Sequence, residues 1–355
     1  MLKNKTTSFI LTIIATAFVF TPSAAATSSS ITTTTAPTTV TCPTSTINVS
    51  TSSQLQAALS TAIPGDVITV TDGTYVGPFS IPAGHSGMQA SPITLCGSQN
   101  AVLNGNGKSH VFTLSGTFLC TSPSTQGCPT ANVMAMGQAV NWWNLEGFTI
   151  TNGNKGLDLA NANDNTIIGV TIHNTSGAGI HVESFSAHND FEGDLVYNTG
   201  AEGIYNGSAV SNWSYYSGGA PDKSDYNRYN GLIVYNTTAD PFDLKEGSSN
   251  GVVSNNRIDG AMNTKAKGWV DSKGNNWMVL DNAGTNSQVD GFGNHVVAAG
   301  WGQNNIFRGN AGQVNASGWA FHVDAASTGT IVDCGQTVTN AAAGYSSEPC
   351  TPVVQ

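Results

Sequence analysis

The sequence predicts an all-β fold, a right-handed parallel β-helix (a solenoid) built by stacking one coil of chain on the next. A short phrase, usually a small residue followed by alternating apolar and polar residues, recurs through the second half of the chain. Asn- and Gly-rich turns separate the copies. The steps between copies are 23, 24, 38, 28, 22 and 27 residues, and a period of this size is typical of solenoids. The copies start at Gly156, Gly179, Gly203, Pro241, Trp269, Gly291 and Gly318.

The N-terminal segments are predicted to lie outside this fold. Residues 1–26 have the pattern of a secretory signal peptide, because Lys3 and Lys5 precede an apolar run that is too short to span a bilayer. A membrane anchor is the alternative interpretation. Residues 27–46 are rich in Ser, Thr, Ala and Pro and predict an unfolded linker. We therefore expect a secreted, extracellular monomer whose β-helix domain covers residues 47–355.

The net charge of the chain narrows the classes of molecule that it can bind. The formal net charge of −10 argues against binding to nucleic acid or to an anionic membrane.

The cysteine content predicts disulfides. Six cysteines in a secreted chain allow 15 pairings. Short separations favour Cys120–Cys128 and Cys334–Cys350, which leaves Cys42–Cys96 for the N-terminal end. Six Asn-x-Ser/Thr sequons that follow the predicted signal peptide, with the Ser/Thr-rich linker, suggest a glycoprotein.

Two features interrupt or end the repeats. Residues 50–63 predict a capping helix, with Ser53 and Gln56 as a capping box and an apolar face that includes Leu55 and Leu59. Residues 208–230 form an insertion rich in aromatic residues. Its side chains either stack on sugar rings beside a groove or pack the loop against the β-helix. The candidates for substrate binding are Trp213, Tyr215 and Tyr216.

Alternation within the strands predicts two columns of outward side chains, one rung per coil. Asp243 and Lys245 point outward on one coil, and Asp271 and Lys273 on the next. Neighbouring ammonium groups repel, so we expect one lysine to have a lowered pKa and to act as a base. The alternative is an exposed ladder of weak ion pairs. The first column contains Asp158, His181, Tyr205, Asp243, Asp271, Gly293 and Ala320; the second contains Ala160, Glu183, Gly207, Lys245, Lys273, His295 and His322.

Other polar residues are expected to be structural. Asn165, Asn189, Asn255 and Asn256 lie in Asn-rich turns, where asparagine accepts left-handed backbone or stacks as a hydrogen-bonded ladder. Asp243 and Asp271 could also form a pair of the kind found in retaining glycosidases. The other sequence signals of such a hydrolase are absent, so this interpretation is disfavoured.

The opening of the predicted β-helix resembles a known group of enzymes. Pro64-Gly65-Asp66 and the strand after it, Gly84-His85-Ser86-Gly87, and Ser91-Pro92-Ile93-Thr94-Leu95 are similar to the first coil of secreted right-handed parallel β-helix polysaccharide lyases. The chondroitinase B-like and alginate lyase group and pectate lyase family nine share this opening. With the later repeats, the resemblance covers roughly residues 47–335.

A second resemblance concerns the candidate site. Asp240-Pro241-Phe242-Asp243-Leu244 resembles the calcium-binding strand of pectate lyase family nine, although Ala239 and Pro241 depart from that pattern. The resemblance implies Ca²⁺ as cofactor, with Asp240 and Asp243 as ligands and Lys273 or Lys245 as the base. Asp271 beside them is a further candidate ligand.

The expected function is cleavage of an acidic, uronate-containing extracellular polysaccharide by β-elimination. Lys245 or Lys273 would remove the proton, and His295 or His322 would protonate the leaving group. Tyr205 and Arg257 are candidates to assist in binding the substrate. The alternative is a secreted β-helix without catalytic activity that binds cell-wall glycans or acts in host or surface interaction.

Overall fold

The predicted parallel β-helix is confirmed. The computed structural model describes residues 36–119 and 135–352. Three stacks of parallel strands run the length of this body, and each coil contributes one strand to each stack. The predicted pair Cys120–Cys128 and the signal peptide lie outside the described residues. No described helix is long and apolar enough to cross a bilayer.

Sheet 1 consists of Ile47–Val49, Val67–Val70, Ile93–Gly97, Trp143–Glu146, Thr166–Ile168, Asp190–Glu192, Arg228–Asn230, Val252–Ser254, Met278–Leu280, Ile306–Arg308 and Ile331–Val332. Two long strands, Ala101–Ser115 and Thr149–Ala160, take part in both sheet 2 and sheet 3. Sheet 2 also contains Gly73–Val76, Thr171–Thr175, Leu195–Thr199, Ile233–Thr237, Arg257–Asp259, Ala283–Thr285, Ala311–Ala316 and Thr337–Ala341. Sheet 3 also contains Phe79–Pro82, Ile180–Glu183, Ile204–Asn206, Phe242–Leu244, Val270–Ser272, Phe292–Asn294, Trp319–Val323 and Gly344–Ser346. Two small pairs, Val140–Asn141 with Ala162–Asn163 and Phe118–Leu119 with Ala135–Met136, lie outside these sheets.

The core is a continuous column of apolar side chains inside the coils. Phe292, for example, is fully buried and its ring stacks on that of Phe321 with centroids 5.5 Å apart. Trp143, Trp269 and Trp277 are also fully buried. Because each coil covers the apolar face of its neighbour, the structure gains buried area coil by coil, and this explains how about 300 residues share one core.

Asparagine ladders close the turns, as the sequence predicts. Asn165 and Asn189 are buried, and each donates its backbone N–H to the side-chain oxygen of the asparagine on the next coil, at 3.1 and 2.9 Å. A second ladder runs through Asn256, Asn282 and Asn310. Asn255 takes the left-handed conformation, with a φ of 56°. These amides satisfy backbone groups that no strand can reach.

The N-terminal end differs in detail from the prediction. A helix, Ser52–Thr61, packs Leu55 and Leu59 into the core, but its cap is Thr51, whose side chain accepts from the N–H of Gln54 at 3.2 Å. The cap of the helix therefore lies two residues before the predicted capping residue, Ser53.

The second half of the predicted linker belongs to the body. Thr38 donates its N–H to the carbonyl of Gly193 at 2.8 Å, and a disulfide joins Cys42 to Cys96. Glycines at the surface of the coils, including Gly169 and Gly193, leave the space that this segment occupies. A disulfide also joins Cys334 to Cys350, so both predicted pairs within the described residues are confirmed.

The insertion folds over the carboxyl ends of strands in the middle of sheet 3. It contains a 3-10 turn, Val210–Asn212, and one short helix, Trp213–Tyr216. Asp222 anchors it, because this buried carboxylate accepts from the N–H groups of Ser184 and Phe185 at 3.0 and 2.8 Å. The side chain of Glu246 also accepts from the N–H of Val210 at 2.6 Å.

Candidate active site

The outer face of sheet 3 carries the predicted column of polar side chains. Strand register places Asp158, His181, Tyr205, Asp243 and Asp271 on successive coils, as expected. Parallel pairing holds such rungs about 4.8 Å apart, so neighbouring side chains touch. The face is therefore a line of ionisable groups along the axis of the β-helix.

The register of the last predicted coil, which starts at Gly318, was predicted wrongly. Phe321, not Trp319, pairs with Phe292, and His322 consequently pairs with Gly293 in the first column. The reason is packing, since the ring of Phe321 stacks on Phe292 in the core whereas Trp319 pairs with Gly344. Asp324, rather than His322, continues the second column after His295, because its N–H donates to the carbonyl of Asn294.

The two predicted lysines share one carboxylate. Lys245 Nζ lies 2.5 Å from Asp243 Oδ2, and Lys273 Nζ lies 2.7 Å from Asp243 Oδ1. Lys273 also lies 2.8 Å from Asp271 Oδ2 and is buried. Burial disfavours its charge, but the carboxylates of Asp243 and Asp271 outweigh burial and raise the pKa of Lys273 well above its ordinary value. Lys273 is therefore not the lysine with a lowered pKa that the sequence predicts.

Three buried carboxylates cluster at the predicted calcium site. Asp240, Asp243 and Asp271 offer oxygens within 4.8 Å of one another, so the cluster has the geometry to hold a cation. The ammonium of Lys273 already bonds to two of them. Burial, followed by the charges of Asp271 and Asp243, raises the pKa of Asp240 to about 8, which leaves this carboxyl uncharged at neutral pH. The cluster thus fits an internal ammonium better than Ca²⁺, which prefers several charged oxygen ligands.

A second ionic cluster, which was not predicted from the sequence, lies on the preceding coils. Lys155 Nζ lies 2.7 Å from Asp158 Oδ1 and 3.4 Å from Glu183 Oε1. His181 lies between these carboxylates, and burial, together with the charge of Lys155, lowers its pKa to about 4. Burial and the charge of Asp158 raise the pKa of Glu183 well above its ordinary value. The sequence contained a signal for this cluster, because Asp158, His181 and Glu183 belong to the two predicted columns of outward side chains.

A cleft lies beside this second cluster and extends to Tyr205. It has a volume of about 210 Å³ and lies between the outer face of sheet 3 and the helix Trp213–Tyr216. Tyr205 stands in its wall, with the ammonium of Lys245 4.7 Å from the centre of its ring. Burial, with the charges of Asp243 and Glu202, raises the pKa of Tyr205, so its phenol stays protonated. The lining residues are Asn154, Lys155, Ala178, His181, Glu202, Tyr205, Asn212 and Tyr216.

The remaining predicted site residues are divided between the cleft and other surfaces. Tyr216 lines the cleft, and Tyr215 beside it is 60% exposed. Trp213 is half-buried, donates its indole N–H to the carbonyl of Ser208 at 2.9 Å and contacts the ring of Trp301, so it secures the insertion. Arg257 lies in a strand of sheet 2 and therefore not on the face that carries the lysines.

His295 and His322 lie together beyond Asp271. Their ring centroids are 4.9 Å apart, and His295 Nδ1 lies 2.6 Å from Asp271 Oδ1. His322 Nδ1 lies 3.0 Å from Asp290 Oδ2, and this hydrogen bond is the main reason that the pKa of His322 is raised. Asp271 and Lys273 stand between this pair and the cleft, so the histidines form a separate group.

The fold and the ionic face define a parallel β-helix protein that resembles polysaccharide lyases. The structure is similar to an alginate lyase from Paenibacillus sp. str. FPU-7, with 28% identity and a TM-score of 0.73 over 86% of this chain and 99% of that one. It is also similar to ORF18 of Geobacillus virus E2, with 12% identity and a TM-score of 0.56 over 83% of this chain and 56% of that one. No protein-family profile and no curated protein sequence matches the chain. The predicted resemblance to parallel β-helix polysaccharide lyases is confirmed.

Proposed function

We propose that the protein is a secreted lyase that cleaves an alginate-type polyuronate by β-elimination. One observation carries the proposal: the ammonium of Lys245 lies over the ring of Tyr205 in the wall of a cleft. The chain around this pair is similar, over nearly the whole length of that protein, to an alginate lyase. Disulfides Cys42–Cys96 and Cys334–Cys350 support export to an oxidising compartment.

Lys245 acts as the base of the reaction and Tyr205 as the acid. In the reactive form, uncharged Lys245 takes the proton from the carbon next to the sugar carboxylate, and Asp243 holds the ammonium that results. The electron pair left on carbon forms the new double bond as the glycosidic carbon–oxygen bond breaks. Tyr205, kept protonated by its raised pKa, gives its proton to the leaving oxygen. Water then restores the phenol, and Lys245 returns its proton to solvent.

Lys273 supports this pair without acting as the base. Its raised pKa keeps it charged, and its bond to Asp243 fixes the carboxylate that contacts Lys245. The ammonium of Lys273 supplies the charge that calcium would bring to the carboxylate cluster. We therefore propose that Ca²⁺ at Asp240, Asp243 and Asp271 is not required.

The cleft can accept an acidic polymer although the chain is acidic overall. Lys155 in its wall is a cation that can meet a sugar carboxylate. Burial raises the pKa of both Glu183 and Glu202, which lowers the negative charge that would repel the polymer. The exposed ring of Tyr215 is positioned to stack on a sugar beside the cleft.

The test is the growth of ultraviolet absorbance from unsaturated uronate ends, measured on alginate, pectate and glycosaminoglycans with and without added Ca²⁺. We expect signal on alginate without calcium. Lys245→Ala and Tyr205→Phe should remove it, whereas Tyr197→Phe, a tyrosine on sheet 2, should retain it. A flat trace on every polymer from folded protein would reject the lyase and favour a glycan-binding protein without catalytic activity. Signal that depends on calcium would reject the role given to Lys273.

A further inference from the structure

We propose that His295, His322 and Asp324 form a binding site for a divalent transition-metal ion of the zinc class. The three residues lie on two neighbouring coils of sheet 3, before the C-terminal strand Gly344–Ser346, and offer one ligand atom each within 4.8 Å of one another. Imidazole and carboxylate ligands together suit zinc, and three protein ligands leave one position open to water. The site is independent of the lyase activity proposed above.

Each imidazole is held in the way that metal-binding histidines are held. Asp271, which is fully buried, bonds to Nδ1 of His295 at 2.6 Å, and Asp290 bonds to Nδ1 of His322 at 3.0 Å. A carboxylate that accepts the Nδ1 proton fixes the tautomer and leaves Nε2 free to bind an ion. The Nδ1 contacts therefore leave Nε2 of both histidines available to an ion, and Nε2 of His322 lies 3.5 Å from Asp324.

The third ligand is equally well placed. Asp324 Oδ2 accepts from the N–H of Val296 at 2.8 Å, which leaves Oδ1 directed at Nε2 of His322, 3.5 Å away. Asp290 is fixed in turn, because its Oδ1 accepts from the N–H of Trp319 at 2.6 Å. A network of this kind, in which the partners of the ligands are themselves hydrogen-bonded, is typical of metal sites.

The other two carboxylate clusters on this face already hold the ammonium group of a lysine. Lys273 bonds to Asp243 and Asp271 at the first, and Lys155 bonds to Asp158 and Glu183 at the second. The ion pairs of His295, His322 and Asp324, in contrast, are all with carboxylates or within the trio. The charge around the trio therefore attracts a cation.

The site is also accessible. The side chains of His322 and Asp324 are 31% and 33% exposed, so an ion can enter from solvent. The bond lengths of about 2.0–2.2 Å that zinc requires can be reached by small rotations of these two side chains. Once bound, the ion would join the coil of His295 to the coil of His322 and stabilise this end of the β-helix.

The test is zinc binding by the full-length mature protein without a histidine tag, after dialysis against a chelator. Titration calorimetry with ZnCl₂ should show one ion per chain, and zinc should raise the thermal midpoint. His322→Ala and Asp324→Asn should weaken binding at least tenfold, and Asp290→Asn by about 10- to 100-fold. These positions are chosen because His295→Ala would leave the buried Asp271 without one of its two partners.

His173→Ala and His181→Ala are matched controls, because they remove a histidine from sheet 2 and from the other ionic cluster. Both should bind zinc as the wild type does. Absence of saturable binding to folded protein would overturn the proposal. Unchanged binding in His322→Ala, or loss of binding in His181→Ala alone, would overturn it as well.

Discussion

Lys273 Nζ lies 2.7 Å from Asp243 Oδ1, in a buried ion pair between residues on neighbouring coils. Asp243 accepts a second ammonium, that of Lys245, on its other oxygen. The carboxylate of Asp243 thus links Lys273, which carboxylates enclose, to Lys245, which lies over the ring of Tyr205. Lys245 and Lys273 occupy equivalent positions in the sequence repeats but have different surroundings in the structure.

The first prediction concerns the stability that this pair provides. Lys273→Met should lower the free energy of unfolding by about 3–5 kcal/mol, because it leaves Asp271 buried without its cation. Lys245→Met is the matched control, and it should cost less because Lys273 still neutralises Asp243. Denaturant unfolding followed by circular dichroism measures both. Equal losses in the two variants would contradict the distinction.

The second prediction concerns pH. The pKa of Asp240 is raised to about 8, so the folded protein holds a proton that the unfolded chain releases near pH 4. The stability that this group contributes is present below pH 4 and is lost as the pH rises towards 8. Asp240→Asn keeps an oxygen for the N–H groups of Lys267 and Gly268 but cannot ionise. The variant should therefore gain stability relative to the wild type between pH 4 and 8; a constant difference would contradict this.

The third prediction concerns the asparagine ladder. Asn189→Ala removes the acceptor for the backbone N–H of Asn165 and the donor to the carbonyl of Ala162. Each buried group left without a partner costs about 1–3 kcal/mol, so the thermal midpoint should fall markedly. Asn174→Gly is the control, since Asn174 is exposed and its φ of 54° suits glycine. Similar midpoints for the two variants would show that the ladder is dispensable.

The fourth prediction separates the two roles of aromatic residues in the insertion. Tyr215→Ala should change stability by less than about 0.5 kcal/mol, because the ring is exposed, and should raise KM for the polymer. Trp213→Ala should destabilise the insertion, because it removes the contact with Trp301 and the bond to Ser208. Steady-state kinetics and limited proteolysis measure the two effects. A raised KM without faster proteolysis in Trp213→Ala would assign that residue to the substrate instead.

Much of the fold follows from local pattern. Alternation within short strands puts Phe242 and Leu244 inward and Asp243 outward, and no distant contact is needed to see it. Regular steps between copies then predict which coils are neighbours. The alignment failed at the last coil, where the strand Trp319–Val323 offers two aromatic residues for one core position. Only packing against Phe292 decides between them.

The candidate site could be predicted only in part, for the same reason. The sequence by itself determined that Asp243, Lys245, Asp271 and Lys273 share one face, because a parallel solenoid aligns equal positions of successive coils. It did not determine which lysine is enclosed by carboxylates, nor that Lys155 comes to Asp158 and Glu183. Those outcomes depend on side-chain direction, on burial and on the insertion that covers the cleft. The tertiary structure decided them, because the pKa of an ionisable group is set by its distance to other charges and to water, and the order of residues records neither distance.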